Sequence, residues 1–120
     1  MTLQDCYKAL GGNYDEVLKR LRSERMILKF VLKFLDEKSY DELKAAVAAR
    51  DGETAFRAAH TIKGVCLNLG FDSLFQSSNQ LCESLRGGWT DDALPLLESV
   101  SEDFERTVAA IRALQSEQNP

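Results

Sequence analysis

Asp51-Gly52-Glu53-Thr54-Ala55-Phe56-Arg57-Ala58-Ala59-His60-Thr61-Ile62-Lys63-Gly64-Val65-Cys66-Leu67-Asn68-Leu69-Gly70 opens on a residue type that caps helices and closes on one that ends them. The carboxylate of Asp51 is placed to accept a hydrogen bond from the first turn, and Gly70 readily takes the left-handed conformation that follows a last helical residue. Between them there is no proline, and the spacing predicts a helix over 52–69. At about 100° per residue, Ala55, Ala58, Ile62, Val65 and Leu69 fall within roughly 40° of the side opposite His60. That arc is the predicted buried face. The opposite side carries His60, the chain's one histidine, with Glu53, Phe56, Arg57, Lys63, Gly64 and Leu67.

Outward from this helix the same periodicity continues in both directions. Downstream, Phe71, Leu74, Phe75, Ser78, Leu81, Cys82 and Leu85 give a further helix closed by Gly87-Gly88. The last helix is expected to start at Asp91 or Asp92, because Pro95 is tolerated only in a first turn. Its stripe is Ala93, Leu97, Val100, Phe104, Val108, Ile111 and Leu114, and Pro120 marks the end. Upstream, a helix carrying Leu43, Ala46 and Val47 follows Ser39 and ends near Arg50. Before it, Met26, Ile27, Phe30, Val31 and Phe34 form an i, i+3, i+4 stripe with Ser23 as N-cap. Thr2 to about Leu21 reads as two short helices split by Gly11-Gly12, with Asn13 capping the second.

No segment alternates as a strand does, so the fold class expected is all-α. Four helices of similar length on short loops imply an up-down-up-down four-helix bundle, with additional short N-terminal helices packed as a cap. The organisation expected is one domain over 1–120, with about 1–35 capping and about 36–116 forming the bundle.

Composition narrows the function. A chain of 120 residues with 44% apolar and 28% charged residues is of ordinary globular make-up. Its net charge of −4 and pI near 5.0 argue against a nucleic-acid footprint, which needs clustered Lys and Arg. The basic run Lys29 to Lys33 has apolar residues between its charges and reads as a helix face. The N-terminus lacks the basic and apolar parts of a secretory signal, and no apolar run is long enough to span a membrane. A cytoplasmic location, no membrane contact and a monomer are expected. Cys6, Cys66 and Cys82 are odd in number and irregularly spaced, which suits neither a disulfide framework nor a zinc site. They are expected to be reduced, small and semi-buried.

The outward face of the 52–69 helix is where chemistry is expected. An exposed imidazole offers a free ring nitrogen near neutral pH and is a competent nucleophile toward phosphorus. Lys63 and Gly64 lie at i+3 and i+4 from His60, on the same face. A mid-helix glycine costs about 1 kcal/mol against alanine, and close approach of another molecule would justify it. Lys63 places positive charge where a phosphoryl group, with about 1.5 to 2 negative charges, would sit. Phe56 and Leu67, apolar residues on the solvent side, together with Arg57 form a candidate docking surface.

Ala59-His60-Thr61-Ile62-Lys63-Gly64-Val65-Cys66-Leu67-Asn68-Leu69-Gly70-Phe71, followed by a helix ending in Leu85-Arg86-Gly87-Gly88, resembles the signature of histidine-containing phosphotransfer (HPt) domains of multistep two-component signalling. The resemblance spans about Leu3 to Leu114. It implies a four-helix bundle with His60 as phosphoacceptor, Lys63 for charge and orientation, and Gly64 for close approach. The partners it implies are response-regulator receiver domains or a hybrid sensor histidine kinase, with phosphoryl transfer from a receiver aspartate to His60 and on to another receiver. No cofactor of the chain's own is implied, and Mg²⁺ would belong to the receiver. Many family members carry a Gln or Glu on the following helix that bonds the imidazole. By ungapped spacing that position is Cys82, whose thiol is a weak partner, so no residue is carried over for that role.

The alternative from another class is a helical interaction module that uses the His60 face without phosphoryl transfer. An autonomous enzyme is disfavoured: there is no Ser/His/Asp set, no paired metal ligands and no phosphate-cradling glycine loop. With one histidine and dispersed cysteines, no metal site is expected.

Overall fold

In the computed structural model, which describes residues 1–118, seven α-helices and one short 3-10 turn follow one another, and no strand occurs among the described residues. The helices are α1 (Leu3–Leu10), α2 (Tyr14–Leu21), α3 (Glu24–Lys33), α4 (Ser39–Ala48), α5 (Gly52–Leu69), α6 (Asp72–Leu85) and α7 (Ala93–Gln118). The 3-10 turn, Phe34–Asp36, follows α3. Pro120, read as the closing boundary, lies outside the described residues.

Local chemistry sets most of these ends. The side chains of Asn13, Ser23 and Asp51 accept hydrogen bonds from the backbone N–H groups of Glu16, Met26 and Thr54 at 3.1, 3.3 and 3.1 Å. Each satisfies a donor that the first helical turn leaves free. Thr2 and Asp5 form a reciprocal capping box at α1. Gly70 ends α5 at φ +70° with its N–H bonded to the Cys66 carbonyl. The last helix begins at Ala93, just after a turn at Asp91-Asp92, so Pro95 stays in the first turn.

Helices α4, α5, α6 and α7 pack each on the next, and α4 returns to α7, which closes a four-helix bundle. Their lengths are not similar, contrary to the expectation: they run to 10, 18, 14 and 26 residues. At 1.5 Å per residue α4 is about 15 Å long and α7 about 39 Å. The short α4 covers the part of α5 near their connecting loop. Beyond it, α3 lies against α5 and α7 and covers part of the remaining wall, while α1 packs along α7.

An aromatic chain runs through this junction. Tyr7 packs on Tyr14 and on Phe71, Phe71 on Phe34, Phe34 on Phe104, and Phe104 stacks on Tyr40 at 3.9 Å between centroids. Polar contacts pin the N-terminal helices to the corner between α5 and α6. The Tyr7 hydroxyl donates to the Leu69 carbonyl at 2.7 Å, Asn13 N–H to the Gly70 carbonyl at 2.8 Å, and Ser73 N–H to the Gly11 carbonyl at 3.0 Å. Gly11-Gly12 is therefore more than a helix break. A Cβ at Gly12 would lie 2.6 Å from the Gly70 carbonyl oxygen, so only glycine admits this approach.

Two side-chain expectations need correction. The three cysteines are fully buried rather than semi-buried, because each lies on the inward face of its helix. Val65, placed on the buried arc of α5, is half-buried: it lines a groove shared with Arg20, Leu21, Phe30 and Phe34, where α2 and α3 do not close against α5.

Candidate functional site

On α5 the wheel translates into burial. Ala55, Ala58, Ala59, Ile62, Cys66 and Leu69 are buried, while Glu53, Arg57, His60 and Leu67 are exposed. His60 thus projects from a helix whose other face is locked between α4 and α6, a rigid mount for an accessible imidazole. It makes no hydrogen bond to any of the described residues. Its nearest aromatic neighbour is Phe56, one turn back, with ring centroids 6.1 Å apart and planes inclined by 37°.

Gly64, one turn onward, is partly exposed, and a Cβ built there would meet nothing within 4 Å. Packing within the chain therefore does not require glycine at this position. Its helix-weakening effect of about 1 kcal/mol has no compensation inside the molecule.

Lys63 differs from its expectation. Its side chain is only 20% exposed and turns across to α6, where Nζ donates to Asn79 Oδ1 at 3.1 Å and lies 3.9 Å from Glu83 Oε1. Glu83 in turn accepts two hydrogen bonds from Arg86, from Nη2 at 2.8 Å and from Nε at 3.1 Å. The Arg86 guanidinium sits over the Phe56 ring, 5.3 Å from its centroid. Phe56 is accordingly half-covered by a cation rather than a bare apolar rim. The Arg86 hydrogen bonds, with Lys63 adding to them, hold the Glu83 carboxyl below the usual carboxylate range.

Asn79 and the site role of Arg86 were not legible in the sequence, because a helical wheel shows which face is outward and not which helix stands beside it. Glu83, near the position level with His60, is set aside on the wheel for lying about 100° from Cys82. The Glu83–Arg86 spacing of i, i+3 was the signal available for an ion pair. Cys82 is fully buried, and burial pushes its thiol up. It faces the core, and it makes no hydrogen bond to His60 among the described residues. Of the docking candidates, Phe56 stands beside His60, Arg57 is exposed one turn before it, and Leu67 lies two turns onward with 55% of its surface exposed. Arg20 of α2 donates to the Leu67 carbonyl at 2.7 Å and ties α2 to that end of α5.

Among the described residues no three His, Cys, Asp or Glu side chains converge as a metal site, and no helix is long and apolar enough to cross a membrane. Searches of curated proteins and of solved structures returned no match. A comparison with protein-family models matched the Hpt domain over residues 34–116, which takes in all four bundle helices to within two residues of the end of α7. With an exposed histidine on the second bundle helix and more than half its length matched, the chain belongs to the Hpt domain family, whose members are the phosphotransfer modules of two-component phosphorelays.

Proposed function

We propose that the chain, acting as one unit, accepts a phosphoryl group on His60 from the aspartyl phosphate of a receiver domain, free or part of a hybrid kinase, and passes it to a second receiver. The observation that carries this reading is the pairing of an exposed His60 with open space beside Gly64. A receiver must bring its active-site aspartate to within bonding distance of the imidazole, and a side chain at position 64 would stand in its path. Lys63 and Arg86 put two cations on the α5–α6 face, one on either side of the level of His60 and both reaching toward Glu83, suited to a doubly charged group. Phe56, Arg57 and Leu67 supply the surrounding contact surface, and Mg²⁺ chemistry belongs to the receiver. The chain needs no ATP site of its own, since the energy of transfer resides in the acyl phosphate it receives.

Incubation with a phosphorylated receiver from the same organism is the test. Label is expected on the wild-type chain and absent from His60→Gln. Label that persists in His60→Gln overturns the assignment, and a wild-type chain that takes no label from any cognate receiver points to an interaction module instead.

A further inference from the structure

Glu83 is the one acidic group in the chain of contacts that runs from Lys63 through Glu83 and Arg86 to Phe56 and His60. Phe56 stands level with Arg86 and Lys63 with Asn79, so the antiparallel α5 and α6 bring residues 82 and 83 level with His60. Residue 82 points into the core and Glu83 points out. Of the two cations best placed to meet a phosphoryl group, Arg86 is therefore already hydrogen-bonded to a carboxylate before that group arrives, and Lys63 lies within ion-pair range of it.

Resting on the phosphotransfer reading, we infer that Glu83 is a positioning residue that sets how strongly His60 holds its phosphoryl group. The reaction joins the unprotonated ring nitrogen of His60 to phosphorus as the P–O bond to the receiver aspartate breaks. The electron pair of that bond leaves on the aspartate carboxylate, and the imidazole keeps the proton on its other nitrogen. The phosphoryl group brings up to about 2 negative charges beside Glu83, set against one positive charge on the ring that keeps its proton, so the modified side chain is net negative. Glu83 opposes that charge directly and competes with it for Lys63 and Arg86. With Glu83 in place the three groups sum to a single positive charge, and without it to two. A relay module must release its cargo as readily as it accepts it, and partial neutralisation of the cations keeps phospho-His60 from becoming a sink. The same carboxylate holds Arg86 over Phe56 while Asn79 holds Lys63, so the cations stay ordered while their pull is moderated.

The test is a charge cycle measured as the equilibrium between phosphorylated receiver and phosphorylated chain. For one charge acting across a solvent-exposed site, Glu83→Gln is expected to move the equilibrium toward phospho-His60 by about threefold. Arg86→Gln is expected to move it the other way by a similar factor, and Glu83→Gln/Arg86→Gln to return it close to wild type. These differences should narrow in high salt, where such charges are screened. A structural role for Glu83 predicts no such compensation. If Glu83→Gln leaves the equilibrium unchanged, or lowers it while the wild-type chain transfers normally, this inference fails and the phosphotransfer reading stands. A wild-type chain that takes no label overturns that reading, and this inference with it.

Discussion

At the scale of single residues, Gly64 gives the sharpest separation of stability from function. Alanine is the better helix former, and its methyl group would touch nothing in the chain. Gly64→Ala should therefore raise unfolding stability by about 0.5–1 kcal/mol in denaturant titrations while slowing transfer from a receiver. Gly64→Glu should keep the fold and abolish transfer. A variant at 64 that transfers at the wild-type rate would remove the close-approach explanation. His60, Lys63 and Gly64 were all legible from the sequence as occupants of one outward face, because a helical wheel depends only on residue spacing. The direction Lys63 takes was not legible. Its four-carbon stem lets Nζ reach a neighbouring helix, and which neighbour stands there is decided by α6 packing on α5.

Elements were legible where their ends carry their own chemistry. Asp51 and Gly70 fix α5 at both ends, as predicted from 52–69, and Asn13 and Ser23 cap α2 and α3. Bonds from the Thr54 hydroxyl and N–H hold the Asp51 carboxyl below its ordinary value. A carboxyl lowered in the folded state contributes stability above the pKa of the unfolded chain and loses it as pH falls through the lowered value. Asp51→Ala should thus lower Tm at pH 7, and the gap to wild type should close as pH drops below about 4, the ordinary aspartate value. A gap that persists unchanged into strong acid would show that the charge of Asp51 plays no part. Helix lengths were less legible: α4 and α3 share a wall that the sequence assigned to one bundle helix plus a cap. The apolar stripes of both are similar in kind, and nothing in a stripe records how far the opposing helix extends.

For the whole molecule, the junction between the N-terminal helices and the α5–α6 corner is the feature that joins stability to the site. Tyr7 closes this junction with a buried hydroxyl on the Leu69 carbonyl, between two aromatic neighbours. Tyr7→Phe keeps the ring and removes the donor, which should cost about 1–3 kcal/mol for a buried carbonyl left short of its partner. A cost near zero would mean that water takes the hydroxyl's place. The buried thiols provide a global probe of the same packing. Burial pushes the Cys6 thiol up to about 11 and raises Cys66 and Cys82 as well. All three should resist alkylation in the native state and react together on unfolding, as expected for thiols shielded from water and held protonated.

Everything proposed for the molecule rests on phosphorus bonding to one nitrogen-bearing side chain. Phosphorus NMR of the chain after exposure to a phosphorylated receiver tests this most directly. A single phosphoramidate resonance is expected, one that disappears in mild acid and is missing from His60→Gln. A phosphoramidate signal that survives in His60→Gln, or an acid-stable phosphate ester on the wild-type chain, would contradict it.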